Sequence, residues 1–158
     1  MLRGYRHIRM QVELFLKDHQ SLREEMGIID GWLTDIEQMG RLSDEELKRL
    51  VVPVKHFYEQ LSAHLTLEEQ ELFPLLTKEI EEKGYLYFTF ELEHQQMKQY
   101  IKQFLYMVER FRDRTVGIEK GNSILITLRF ALEAVAAHFI REEEILFPEI
   151  LKLTGKTV

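Results

Sequence analysis

Two stretches of this chain carry the residues best suited to chemistry, and they are versions of one another. His64-Leu-Thr-Leu-Glu-Glu-Gln-Glu-Leu-Phe-Pro74 and His138-Phe-Ile-Arg-Glu-Glu-Glu-Ile-Leu-Phe-Pro148 align at an offset of 74, with six of eleven positions identical. In each, a histidine precedes a glutamate by four residues: His64 with Glu68, and His138 with Glu142. Residues so spaced lie on one helix face a turn apart, so an imidazole and a carboxylate converge as two metal donors. The repeat extends upstream. Phe15-Leu-Lys-Asp-His19-Gln-Ser-Leu22 aligns with Phe90-Glu-Leu-Glu-His94-Gln-Gln-Met97 at an offset of 75, sharing Phe, His and Gln. Each half therefore reads His, then about 45 residues, then His-x-x-x-Glu. Two halves supply four imidazoles and two carboxylates, enough for a dinuclear metal site.

A lone histidine on an apolar helix face is usually a core residue with one hydrogen bond. Four of them at repeat-related positions, accompanied by two carboxylates, argue otherwise. Burying one unpaired ionised glutamate costs several kcal/mol, and two facing each other also repel. A pair of divalent cations between them removes both penalties. Glu69 and Glu143, one residue further on, point about 100° away, which places them behind the site or in solvent. The repeated Leu-Phe-Pro reads as apolar packing plus a proline that bends or restarts the helix. Ferritin-like di-iron bundles use Glu-x-x-His on two helices. Glu91-Leu-Glu-His94 fits that pattern once, but Leu16 and Leu61 stand where the second copy needs an acid. The zinc-protease pattern His-Glu-x-x-His is absent, as are Gly-rich phosphate loops and nucleophile motifs.

The elements that must position these residues follow from apolar spacing. Ile8, Val12, Phe15, Leu22, Met26, Ile29 and Leu33 recur every three or four residues and predict a helix over 5–39, with His19 in its stripe. His7 lies about 120° from His19 around that helix and reads as a surface residue. Gly40 ends the helix, and Ser43-Asp-Glu-Glu46 is a capping box for a second one over 44–83. Pro53 and Pro74 are expected as kinks or restarts there. Its stripe is Leu47, Leu50, Val54, Phe57, Leu61, His64, Glu68, Leu72 and Leu75, with His56 off the seam and solvated. Gly84 is expected as the helix stop. A third helix, 86–113, buries Tyr87, Phe90, His94, Met97, Ile101, Phe104, Leu105 and Val108. A fourth, 119–152, buries Leu128, Ala131, Val135, His138, Glu142, Ile145 and Leu146. The small Ala136 and Ala137 let its neighbours approach closely. Four amphipathic helices with short connections predict an all-α, antiparallel up-down-up-down bundle with a two-fold internal repeat, forming one domain over 1–158.

Composition narrows the classes further. The 158 residues are 45% hydrophobic and 30% charged, a globular profile, with a net charge of −6 and basic and acidic residues interspersed. A nucleic-acid partner is not expected. Without cysteine there are no disulfides, thiolate ligands, iron–sulfur clusters or thiol nucleophiles, so a metal site must use nitrogen and oxygen donors. No uninterrupted apolar run approaches the roughly 18 residues of a membrane span, and Met-Leu-Arg-Gly-Tyr-Arg-His has no signal-peptide core. The expectation is a cytoplasmic protein with no membrane partner.

The ordered set His19, His64-x-x-x-Glu68, His94 and His138-x-x-x-Glu142, with Leu-Phe-Pro after each glutamate, resembles the hemerythrin-like (HHE cation-binding) domain over essentially the whole chain. That resemblance implies a four-helix bundle holding a non-haem di-iron centre. It implies two iron ions, one on His19 and His64 and one on His94 and His138. Glu68 and Glu142 would bridge them, together with an oxo or hydroxo group. Such N/O sites also accept Mn or Zn. Oxygen-carrying hemerythrins have a fifth histidine one turn from the third-helix histidine, where this chain has Phe90 and Lys98. Iron-centre repair proteins of the superfamily share the four-His, two-Glu pattern but carry a Cys-containing N-terminal segment that this chain lacks. Neither dedicated oxygen carriage nor thiol-assisted repair is expected. The resemblance points to a small diatomic or peroxide ligand (O2, NO or peroxide), in sensing, detoxification or iron handling. The alternatives are a metal-stabilised interaction module and a di-iron peroxidase or NO-reducing enzyme.

Overall fold

The computed structural model of the protein describes residues 2–40, 42–79, 84–111 and 117–155. The first helix, α1 (Leu2–Met39), buries Val12, Phe15, His19, Leu22, Met26, Ile29, Leu33 and Ile36 at the expected spacing. Gly40 takes φ +67 just past its end, a left-handed conformation that costs a residue without Cβ little. Ser43 then opens α2 (Asp44–Glu71): its hydroxyl accepts from the Glu46 amide, and its own amide donates to the Glu46 carboxylate at 2.6 Å. Asp44, Glu45 and Glu46 place negative charge where the helix dipole favours it. Pro53 lies inside α2 without ending it and simply forgoes the bond to the carbonyl four residues back.

Pro74 behaves differently. The helix stops at Glu71, Leu72 forms a turn, and α3 (Phe73–Glu79) restarts with the proline second, where a missing N–H costs nothing. Residues 80–83, the expected end of this helix, lie outside the described ones. Gly84 is not a stop: it is the first residue of α4 (Gly84–Arg110), and it does not adopt the positive φ that a glycine C-terminal cap uses. This helix ends at Arg110 with Phe111 in a turn, short of the expected 113; residues 112 and 113 lie outside the described ones.

The last helix is a composite of α5 (Ile118–Arg141), a π-helical turn (Glu142–Leu146) and α6 (Phe147–Gly155). Within the turn the Phe147 amide donates to the Glu142 carbonyl, five residues back. Pro148 explains it, since in an α-helix its ring would press on the carbonyl of residue 144. The wider turn corrects one expectation. Ile145, expected inside, is 44% exposed, while Leu146 and Phe147 are buried. The first half does the same by breaking: Leu72 and Phe73, four and five residues after Glu68, are both fully buried, and Leu75 is only half-buried.

α1 packs along α2, α2 along α4, α4 along α5, and α5 and α6 return against α1. The ring of helices is the all-α four-helix bundle the periodicity predicts. Its core has two apolar layers. One holds Leu22, Phe57, Leu61, Met97, Ile101, Leu128 and Phe139, among others. The other holds Val12, Phe15, Leu72, Phe73, Phe90, Leu146 and Phe147 with their neighbours. Between these layers lie the six polar residues of the repeat. By length and composition alone the stretch Glu119–Leu153 is apolar enough to cross a membrane. In the bundle its apolar weight includes the core residues Leu128, Ala131, Val135 and Phe139, and it also carries the buried His138 and Glu142.

Candidate metal centre

Each helix of the bundle delivers its polar residues to one level. His19, His94, His138, Glu68 and Glu142 have no solvent exposure at all, and His64 has 4%. The imidazoles stand in two pairs. His19 Nε2 is 3.0 Å from His64 Nε2, and the His94 and His138 rings lie edge to face with centroids 4.7 Å apart. Each glutamate spans both pairs. Glu68 places Oε1 at 2.8 Å from His64 and 3.6 Å from His19, and Oε2 at 3.3 Å from His94. Glu142 places Oε1 at 2.6 Å from His138 and 3.3 Å from His94, and Oε2 at 3.0 Å from His19.

Two groups result, His19–His64–Glu68–Glu142 and Glu68–His94–His138–Glu142, each with its donor atoms within 4.8 Å of one another and able to hold a metal ion. The carboxylates belong to both. All six sequence-predicted residues are thus brought together, while His7 and His56 stay outside; His56 is 61% exposed beside Glu25. The cluster also passes a test of fit. Glu68 Oε1 and Oε2, Glu142 Oε2 and His138 Nε2 are buried with no well-formed hydrogen bond in the protein, and these same atoms face the centre. Buried polar atoms left so are rare unless another partner is intended.

A second layer fixes the imidazoles from behind. His19 Nδ1 meets Glu143 at 2.9 Å, His64 Nδ1 meets Asp18 at 3.3 Å, His94 Nδ1 meets Glu69 at 2.9 Å, and His138 Nδ1 meets Glu93 at 2.7 Å. With a carboxylate behind it, Nδ1 donates and Nε2 is left for the centre. The acids run in a ring, each sitting beside a site residue on the neighbouring helix: Asp18 before His19, Glu69 after Glu68, Glu93 before His94, Glu143 after Glu142. Glu69 and Glu143 fit the expected place behind the site. Asp18 and Glu93 were missed. Their signal was present, because both are acids directly preceding a repeated histidine at the same offset of 75. Two of the four acids are themselves clamped: Arg23 holds Glu143 with two bonds, 2.7 and 3.1 Å, and Arg141 holds Glu93 at 2.8 Å.

Phenylalanines wall the rings in the same two-fold pattern. Phe147 stacks on His19 and Phe73 on His94, while Phe15 meets His64 and Phe90 meets His138 edge-on. The repeated Leu-Phe-Pro is therefore more than packing: the break before each proline turns its phenylalanine onto an imidazole. One contact breaks the symmetry. Phe139 stacks on His19 at 4.1 Å and also lies under the Arg23 guanidinium, where the first half has Leu65.

Without cations the cluster is held by protons. Burial pushes His19 and His94 down, but the close carboxylates of Glu142 and Glu68 outweigh it, raising them to about 9 and about 10. His138 is raised for the same reason, chiefly by Glu142. Burial, and for Glu68 the charge of Glu142, works to raise the two glutamates. The surrounding imidazoles win, and hold Glu68 below and Glu142 well below the ordinary carboxylate value. Glu93 and Glu143 are also lowered, against burial, by their histidine and arginine partners.

The family model described as the hemerythrin HHE cation-binding domain covers residues 10–150. No curated protein and no solved structure matches the chain.

Proposed function

Because the chain belongs to the hemerythrin HHE cation-binding family, we propose that it is a non-haem di-iron protein that binds or reacts with a small ligand, O2, NO or peroxide. One observation carries this reading: two four-residue donor groups that share Glu68 and Glu142. His19 and His64 would hold one ion, His94 and His138 the other, and the two carboxylates would bridge them. Imidazole and carboxylate suit iron, with Mn and Zn as the competing ions.

When bound, the ions supply redox chemistry and a place for a small ligand. The chain's own residues do the rest. Asp18, Glu69, Glu93 and Glu143 fix the tautomer and orientation of the four rings and raise their basicity. The phenylalanine walls shield the rings from water, in keeping with a ligand of a few atoms. Four imidazoles rather than five would leave room for such a ligand beside each ion. Use in sensing, detoxification or iron handling fits this chemistry.

The test is metal analysis and an optical spectrum of protein purified without oxygen, before and after air or NO. Two iron ions per chain and a spectrum changed by either gas support the reading. Stoichiometric metal with no response to any small ligand would favour a metal-stabilised interaction module instead.

A further inference from the structure

The two halves of the bundle are not equally closed. Between α1 and α2 a cleft of about 180 Å³ reaches His64, lined also by Asp18, Glu25, Ala63 and Leu67. His64 is the one residue of the six with any solvent exposure. The corner behind it is also the loosest of the four. Asp18 is 50% exposed, against 34%, 27% and 17% for Glu69, Glu143 and Glu93. Its 3.3 Å contact is the longest of the His–acid pairs, and Arg23 and Arg141 clamp Glu143 and Glu93 instead.

The internal repeat shows what fills the same place in the other half. At an offset of 74, Leu67 corresponds to Arg141, and at 75, Glu25 corresponds to Tyr100. Arg141 pins Glu93 across the mirror position, and Tyr100 packs edge-on against Phe130. In one half an arginine and an aromatic stand at these places. The other has an exposed leucine and a glutamate, with Glu25 Oε2 buried and lacking a hydrogen bond.

We infer that divalent cations enter and leave the centre through the α1–α2 cleft, past Asp18 and His64, so that the His19–His64 position exchanges first and the His94–His138 position fills by way of it. The acidic lining suits a cation and opposes an anion. The cleft has the volume of several water molecules, enough for a partly hydrated ion. The inference rests on the proposed metal centre.

Loading of metal-free protein with Co²⁺ alone, followed by stopped-flow absorbance, separates the two claims. Leu67→Arg imports the mirror residue within reach of Asp18, and Ala63→Trp fills the cleft with a neutral side chain. Ala137→Trp places the same bulk at the matching position of the other half. Both cleft variants should slow cobalt uptake and its extraction by a chelator about tenfold or more, with final stoichiometry and spectrum unchanged. Ala137→Trp should leave the rates near wild type, and wild-type uptake should slow with added salt. Equal rates in all variants, or slowing by Ala137→Trp as great as by Ala63→Trp, would overturn the route while leaving the metal centre standing. A wild-type protein that takes up no cobalt would bring down the metal reading itself, and the route with it.

Discussion

His19 and His64, on different helices and 45 residues apart, face each other Nε2 to Nε2 at 3.0 Å in the interior of the bundle. Two lone-pair-bearing nitrogens hold that distance only with a proton between them or a cation beside them, and Glu68 and Glu142 stand by to balance either charge.

Metal binding must therefore displace protons. With His19 and His94 raised to about 9 and about 10, both are protonated at pH 7 in the metal-free protein. Adding Fe²⁺ or Co²⁺ without oxygen should release roughly one proton or more per ion. A pH indicator in weak buffer measures it, and uptake without acidification would refute the proton-filled cluster.

The same groups set the pH dependence of the metal-free fold. The raised histidines contribute stability that is complete below their ordinary 6.5 and lost as pH rises through 9 to 10. The lowered Glu68 and Glu142 contribute stability that is complete above their ordinary 4.5 and lost as pH falls. Melting temperature of metal-free protein should therefore be highest between those two values and decline toward pH 10. Thermal scans showing no loss from pH 6.5 to 10 would contradict this.

Metal removal should destabilise the protein at neutral pH, because cations bind the folded cluster and not the unfolded chain. At free metal one hundred times the dissociation constant each ion contributes about 2.7 kcal/mol. Chelated protein with an unchanged melting temperature would count against the buried ligands.

Site variants should rank by layer. Glu68→Ala or Glu142→Ala removes a carboxylate common to both donor groups and should lose most of the bound metal, whereas His56→Ala should lose none. Glu93→Gln should weaken affinity about 10- to 100-fold by loosening His138. Metal analysis and titration give the order, and equal metal content across the series would refute it.

Reactivity should follow the imidazole count. The iron-loaded, reduced protein should bind NO and be oxidised by air, without holding oxygen in a stable, fully reversible form. Recovery of the reduced spectrum on degassing after exposure to air would overturn that.

The sequence by itself determined the bundle and which six polar residues meet in its interior. Apolar residues every three or four positions can be buried only by helices packed on one another, and the i, i+4 spacing of His64 with Glu68 and His138 with Glu142 fixes that each pair converges. The internal repeat did the rest, since it required both halves to contribute alike. Asp18 and Glu93 were legible in the same repeat, but which imidazole each acid holds was not. That choice joins residues 45 or more positions apart and depends on how neighbouring helices are rotated. Only the tertiary structure decided that Ile145 turns outward and Phe147 inward, because the π-turn before Pro148 shifts the helix face by one residue. Phe147 by that turn, and Phe73 by the break at Leu72, became walls of the centre rather than filler. The unequal closure of the halves is likewise a tertiary fact. Arg141 and Leu67 are merely an arginine and a leucine at matching positions until the fold sets one across Glu93 and the other at the rim of an open cleft.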